Sequence, residues 1–392
     1  MEDKNYRSSG AELSDILRCN ENSFMDRHSL CPDQKKAYAA ITGCRTAKMG
    51  SHTLHCDSCD HKKICYNSCR NRHCPKCQYL KQVVWVDKLK GRLLPVRYFH
   101  IVFTVPEFMK GLFYLNQREC YGMLFSASAE AVKKAALNPA FLGAETGCLS
   151  VLHTWGQTLN YHPHIHMLVP AGGLDPDGME WIRTKRKFFV PVSALSKIFR
   201  GIFMEKLRSA LDLGKLNVPE NDIPLYRDMK TLNNRSYENT WHVYIKKTFR
   251  GAGQVISYLG RYTHRVAISN SRILDADGGK VRFRWKDYRD GKSKTMEIGT
   301  AEFIRRFMRH ILPTGFYKIR YFGIFSSANS RTKMHDCFLL LKKQVSFSIY
   351  EGLGTYEVLL HLLGNNLLFK CPCCTNGRMI YTPPVIADEA IP

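Results

Sequence analysis

Two short cysteine knuckles, Cys56-x2-Cys59 and Cys74-x2-Cys77, constrain this chain more than any other feature. Each places two thiols on a tight turn, and two such turns close a tetrahedral Zn2+ site. They lie in a dense stretch: seven of the fifteen cysteines fall between Cys44 and Cys77, with His52, His55, His61 and His73 among them. A secreted disulfide scaffold is shorter and loop-rich, so clustering in a 392-residue chain points to metal rather than to cross-links. The knuckles alone predict one zinc. Adding Cys44, His52, Cys69 and His73 makes eight ligands, enough for two closed sites, and leaves Cys65 and His55 as spares. A further knuckle, Cys371-Pro-Cys373-Cys374, stands near the C-terminus without an obvious partner pair; His335 and Cys337 are the candidates to complete it.

The charge balance names the partner class. Lys and Arg outnumber Asp and Glu by 58 to 34, a net +24. Such an excess asks for a polyanion, nucleic acid before an anionic membrane. No apolar run approaches the roughly 18 residues of a transmembrane helix, so no membrane partner is expected. The N-terminus, MEDKNYRSSGAELSD, starts acidic and lacks an apolar core. It is not read as a secretory signal, and the cytoplasm, at the nucleoid, is the expected location. From Lys62 to Arg97 ten basic residues face one acid, Asp87. Arg70, Arg72 and Lys76 are therefore candidate phosphate contacts. Tyr66, Tyr79 and Trp85 are candidates to stack on bases, or to fill a core.

Beyond the cysteine module the periodicity alternates between strands and helices. RYFHIVFTV, CLSVLHTWG, HIHMLVPAGG, TWHVYIKKTF and FYKIRYFGIF read as strands. Helices are expected over about 116–137, after Pro191, over 251–266 and over 301–311, and KVRFRWKDYRDGKSKTMEIG reads as a basic hairpin turning near Asp290-Gly291. Interspersed elements with hairpin links predict an α+β fold around an antiparallel sheet. The expected domains are a helical tail (1–43), a zinc-binding DNA-recognition module (44–92), a main domain (93–330) and a C-terminal segment (331–392). No GxxxxGK[ST] occurs, so no P-loop motor is visible.

The strand NYHPHIHMLV places His164 and His166 on one face with Ile165 opposite, because residues i and i+2 share a side. Two imidazoles side by side are half of an open metal site. Gln157, seven residues before His164 at the end of the preceding strand, can return beside them through the hairpin; His153 and His162 compete for the same role. Two imidazoles and an oxygen suit Mg2+ or Mn2+ with positions left for a phosphate.

Tyr258-Leu-Gly-Arg-Tyr262 puts two phenols on one face of the expected helix, with Gln254 continuing the line and Arg261 and Arg265 alongside. Tyr262 falls almost on the apolar stripe of Val255, Leu259 and Val266 and also fits a core position. Tyr258 falls on the flank with the arginines, whose charge lowers a phenol's pKa and steadies an oxyanion. Tyr258 is the better nucleophile candidate.

At these residues the chain resembles a known family. CRTAKMGSHTLHCDSC and NSCRNRHCPKCQ, then HTWGQTLNYHPHIHMLVPAGGL, then YLGRYTHRVAISN look like the transposases of the insertion-sequence 91 family, members of the HUH endonuclease superfamily. The resemblance runs in order from about residue 30 to about residue 330. It implies an HUH nuclease domain whose central antiparallel sheet carries His164 and His166, with the tyrosine helix packed across it. It further implies a rolling-circle transposase that nicks and joins single-stranded DNA. Tyr258 and Tyr262 would be the paired nucleophiles, forming a 5′-phosphotyrosine, and the structural zinc ligands would fall within Cys44–Cys77. The implied partners are single-stranded, hairpin-forming ends of its mobile element, target DNA, and a host helicase for unwinding. A plasmid replication initiator or relaxase shares this chemistry. A non-catalytic zinc-containing nucleic-acid-binding protein would leave the histidines and tyrosines unexplained.

Overall fold

The computed structural model describes residues 11–184, 190–239, 241–249, 266–287, 289–344, 348–364, 370–374 and 376–381. In chain order its strands among these are β1 (Ser51–Cys56), β2 (Lys62–Tyr66), β3 (Tyr98–Thr104), β4 (Gly147–Trp155), β5 (Tyr161–Pro170), β6 (Gly172–Leu174), β7 (Trp181–Arg183), β8 (Val243–Phe249), β9 (Ile273–Asp277), β10 (Lys280–Lys286), β11 (Ser293–Gly299), β12 (Ile319–Gly323) and β13 (Met379–Tyr381). The central sheet has the order β12-β4-β5-β3-β8 and is antiparallel throughout. The expected α+β architecture is the observed one.

One face of this sheet is covered by two long helices. Gln117–Leu137 buries Cys120, Tyr121, Leu124, Phe125, Ser128, Val132 and Ala135, spaced three and four apart, as an amphipathic helix must to present one stripe inward. It stops at Asn138, ahead of Pro139, which disfavours helical backbone at the residue before it. This helix and Val192–Asp212 pack on Ile101, Phe103, Leu152, Ile165 and Met167. Each of these five is at most 1% exposed. Fully burying a side chain of this size is favourable by about 1.5–3 kcal/mol.

A second core joins parts of the chain far apart in sequence. The helices Leu13–Cys19, Glu21–Met25 and Pro32–Gly43 pack with the β9–β10–β11 meander and helix Thr300–Met308 through Leu17, Tyr38, Ile41, Phe283, Phe303 and Phe307. Residues 13–41 thus bury apolar positions against residues from 267 onward. The expected hairpin is β10–β11, with Asp290 and Gly291 between its strands.

This second core grips the β4–β5 turn. Arg272 and Arg306 donate to the carbonyls of Gln157 and Thr158. His310, buried at 2% exposure, donates Nε2–H to the Leu159 carbonyl at 3.1 Å and accepts from the Thr154 hydroxyl at Nδ1 at 3.2 Å. Burial pushes this imidazole down to about 4. The unfolded chain takes up that proton near pH 6.5, the folded one only near pH 4. Stability present above about pH 6.5 is therefore lost as pH falls toward 4. Melting temperatures at pH 7, 5.5 and 4 should drop through this window, and His310→Gln should remove about one proton from the linkage. An unchanged pH slope in that variant would contradict the assignment.

Candidate functional site

The opposite face of the central sheet carries histidines. Along β5, Tyr161, Pro163 and Ile165 point into the first core, and His162, His164 and His166 alternate with them, half-buried, on the other side. The register sets His153 of β4 directly opposite His164, and Val151 opposite His166. His153, His164 and His166 offer ligand atoms all within 4.8 Å of one another. The Nε2 atoms of His164 and His166 are 3.1 Å apart. Neighbouring ligands on an octahedral ion with bonds of about 2.1 Å stand about 3 Å apart, so the pair fits a small divalent cation.

Each ring is oriented from behind. His164 donates Nδ1–H to the His162 carbonyl at 2.6 Å, which leaves its Nε2 lone pair facing the cluster. His166 meets Nε2 of His100 through Nδ1 at 2.9 Å. His100 lies on β3, is 2% exposed, and stacks on the His166 ring. Such outer partners fix the tautomer and aim of a ligand. His153 stacks on Trp155, with ring centroids 4.7 Å apart. Burial pushes His164 down to about 3, with His162 adding to the effect. His162 is itself held down to about 4 by burial and by Lys110 and His242. Both rings are therefore uncharged at neutral pH, the state in which imidazole binds metal.

Of the three candidates for a third ligand, His153 is the one that gathers with His164 and His166. Gln157 lies past the irregularity that follows His153, in the turn after β4, and its Oε1 accepts from the Lys286 backbone N–H at 3.4 Å. The hairpin register places His153, not Gln157, across from His164. His100 was not among the sequence candidates, because a lone histidine in an apolar strand carries no signal until the strand order is known. Helix Gln78–Lys90 and helix Lys333–Leu340 cover the rest of this sheet face, through Trp85, Leu89, Cys337 and Phe338 against Leu149, Val151 and Leu168. Tyr258, Tyr262, Gln254, Arg261 and Arg265 lie outside the described residues.

The cysteines assemble differently from the expected pairing. Cys56–Cys59 does not face Cys74–Cys77. Cys74 and Cys77 gather with Cys44 and Cys69, and Cys56 and Cys59 gather with Cys371 and Cys374. In the first cluster Sγ of Cys77 lies 3.5 Å from Cys44 and 3.7 Å from Cys69. A disulfide would bring sulfurs to about 2.05 Å, whereas four thiolates about 2.3 Å from one zinc are about 3.8 Å apart. Hydrogen bonds from Cys69 and Cys74 hold the Cys44 thiol down to about 6.

Neither expected histidine joins the cluster. His52 meets Asn67 Oδ1 through Nδ1 at 3.1 Å. His73 accepts from the Leu312 backbone N–H at 3.3 Å. Cys337 lies on the buried face of helix Lys333–Leu340, and His335 flanks Asp336; neither completes the C-terminal knuckle. Among the expected phosphate contacts, Arg72 turns inward and donates to the Phe316 carbonyl, and Lys76 pairs with Glu12. Arg70 is exposed, as are Tyr66 and Tyr79.

The chain thus joins an antiparallel sheet with a three-imidazole face to a module of clustered cysteines, and sequence comparison gives the class of protein. The family model described as "Putative transposase" matches residues 147–333, and that described as "Transposase zinc-binding domain" matches residues 16–105. The chain is 44% identical over 384 residues to the putative transposase y4qJ of Sinorhizobium fredii (strain NBRC 101917 / NGR234), covering 95% of each. It is 28% identical over 352 residues to the transposase for insertion sequence element IS801 of Pseudomonas savastanoi pv. phaseolicola, covering 88% of this chain and 81% of the relative. No solved structure matches it significantly. The chain belongs to the insertion-sequence 91 family of transposases. It carries that family's zinc-binding module, and membership makes it a DNA-cleaving and strand-transferring enzyme acting on its mobile element. No helix among the described residues is long and apolar enough to cross a membrane.

Proposed function

We propose that this transposase works by rolling-circle HUH chemistry, cutting single-stranded DNA at its element's ends and holding one product as a 5′-phosphotyrosine. The observation that carries the reading is the convergence of His153, His164 and His166 on one half-buried sheet face. Mg2+ or Mn2+ held there would polarise the scissile phosphate and fix its position. His100 holds the His166 ring and the His162 carbonyl holds His164, so two ligands are aimed before DNA arrives.

Tyr258 is the proposed nucleophile. Its phenolate oxygen attacks phosphorus, the bond to the 3′ oxygen breaks, and that oxygen leaves with a proton as a free 3′-OH. The phosphotyrosine keeps the bond energy, so later joining needs no ATP. Tyr262 would hold a second strand, with Arg261 and Arg265 on the phosphates. The Cys44, Cys69, Cys74 and Cys77 cluster would hold a structural zinc beside the basic stretch, where exposed Arg70 remains a phosphate contact. Target DNA and hairpin ends are the substrates of this scheme, and a host helicase the proposed unwinding partner.

The test is a denaturing gel after incubation with Mn2+ and single-stranded oligonucleotides from the element ends. A covalent protein–DNA band lost in Tyr258→Phe supports the scheme. A band that survives Tyr258→Phe but not Tyr262→Phe reverses the order of the tyrosines. No adduct with any single strand would remove the reading.

A further inference from the structure

We infer that Cys56, Cys59, Cys371 and Cys374 form a second structural Zn2+ site, which fastens the C-terminal end of the chain to the N-terminal module. The site is independent of the nuclease chemistry. It is built from two CxxC knuckles that lie 312 residues apart in sequence, counted from Cys59 to Cys371.

The sulfurs have the spacing of metal ligands. Sγ of Cys56 is 3.5 Å from Cys374, and Sγ of Cys59 is 3.7 Å from Cys371. These match the edges of a zinc–thiolate tetrahedron, about 3.8 Å, and exceed a disulfide's roughly 2.05 Å. Four ligand sulfurs from two knuckles also match the closed, all-cysteine stoichiometry of a structural site.

The backbone around the sulfurs is shaped for thiolate. Each knuckle turns a backbone N–H onto its first cysteine: Ser58 N–H donates to Cys56 Sγ at 3.4 Å, and Cys373 N–H to Cys371 Sγ at 3.3 Å. Donors aimed at a sulfur favour its charged form. At Gly377 a Cβ would collide with Sγ of both Cys56 and Cys374, so only glycine lets the C-terminal turn close over the site. The Cys371 N–H donates to the Gly377 carbonyl at 2.9 Å, which closes that turn.

The two ends also share a sheet. β13 pairs with β1, setting Cys56 beside Met379 and Leu54 beside Tyr381, and the order is β13-β1-β2. A three-residue strand pairs weakly alone. Asp57 adds a reciprocal link, donating its N–H to the Arg378 carbonyl at 3.0 Å and accepting from the Arg378 N–H at 2.7 Å. Loop-closure cost grows only logarithmically with length, so one metal can hold two ends this distant. Cys373 is exposed and its sulfur lies 3.1 Å from His61 Nδ1, outside the four-sulfur group, which makes it the internal control.

The full-length protein, purified without chelator, should contain two zinc ions per chain by elemental analysis. The Cys371→Ser/Cys374→Ser variant should contain one, and Cys373→Ser two. Cys374→His should keep two, since zinc accepts an imidazole in place of a thiolate; this arm separates ligand loss from misfolding. Gly377→Ala should lower the zinc content toward one. Two zincs retained in the double serine variant would overturn the inference. So would a wild type with one zinc whose Cys56, Cys59, Cys371 and Cys374 all react freely with an alkylating agent.

Discussion

His164→Ala is expected to lower strand cleavage by about a thousandfold or more while the melting temperature moves little. A Lewis-acid metal supplies several kcal/mol of stabilisation to a reacting phosphate, and each 1.36 kcal/mol is about tenfold in rate. His164 is half-buried, opposite His153 and two residues from His166, so its loss removes one ligand of the proposed metal and opens little of the core. His153→Ala should approach the same loss. Gln157→Ala should fall within about tenfold of wild type, because its side-chain oxygen serves the Lys286 N–H. His100→Ala should weaken Mn2+ binding by about 10–100-fold and leave the rate at saturating metal nearly unchanged, as expected of a residue that acts through His166. Adduct formation against time and against Mn2+ concentration measures all four. Gln157→Ala proving as damaging as His153→Ala would favour Gln157 as the third ligand over His153.

What the sequence made legible followed from local period. His-Ile-His inside an apolar run can only be a strand with two imidazoles on one side, and the register confirms the shared face. Each CxxC identified a knuckle for the same reason: the four-residue turn that aims two sulfurs together is local. Which knuckle meets which is a property of the closed fold. Cys56–Cys59 lies nearer in sequence to Cys74–Cys77 than to Cys371–Cys374, yet β1 pairs with β13 and carries it to the C-terminal pair. The same limit hid His100 and left Gln157, His153 and His162 as competing candidates for the third position. The register that pairs His153 with His164 runs Gln157 into the turn, well short of His164, and only the strand order brings β3 beside β5. Charge was a coarse guide too. Within the basic stretch, Arg72 spends its guanidinium on the Phe316 carbonyl, and Lys76 its amine on Glu12.

Cys77→Ser is expected to have the largest effect on stability of any single substitution at the site. Cys77 touches both Cys44 and Cys69, so a serine there breaks two sulfur contacts of the cluster at once. Structural zinc contributes about 10–16 kcal/mol to folding in small zinc peptides, as much as the whole of a typical domain's stability, about 5–15 kcal/mol. Cys44 and Cys74, each 1% exposed, belong to the same core as Leu17, Tyr38, Phe303 and Leu159. Losing the metal there should free the three N-terminal helices and loosen the grip on the β4–β5 turn. The variant should show early cleavage by trypsin within residues 11–77 and a destabilisation above about 4 kcal/mol. Strand cleavage should also fall, because the turn that aligns His153 with His164 has lost its backing. The first core, built on helices Gln117–Leu137 and Val192–Asp212, shares no residue with this cluster and should persist as a protease-resistant fragment. Cys19→Ser, at an exposed cysteine outside both clusters, should behave as wild type. A Cys77→Ser protein with wild-type melting and wild-type zinc content would show that this cluster is not a structural metal site.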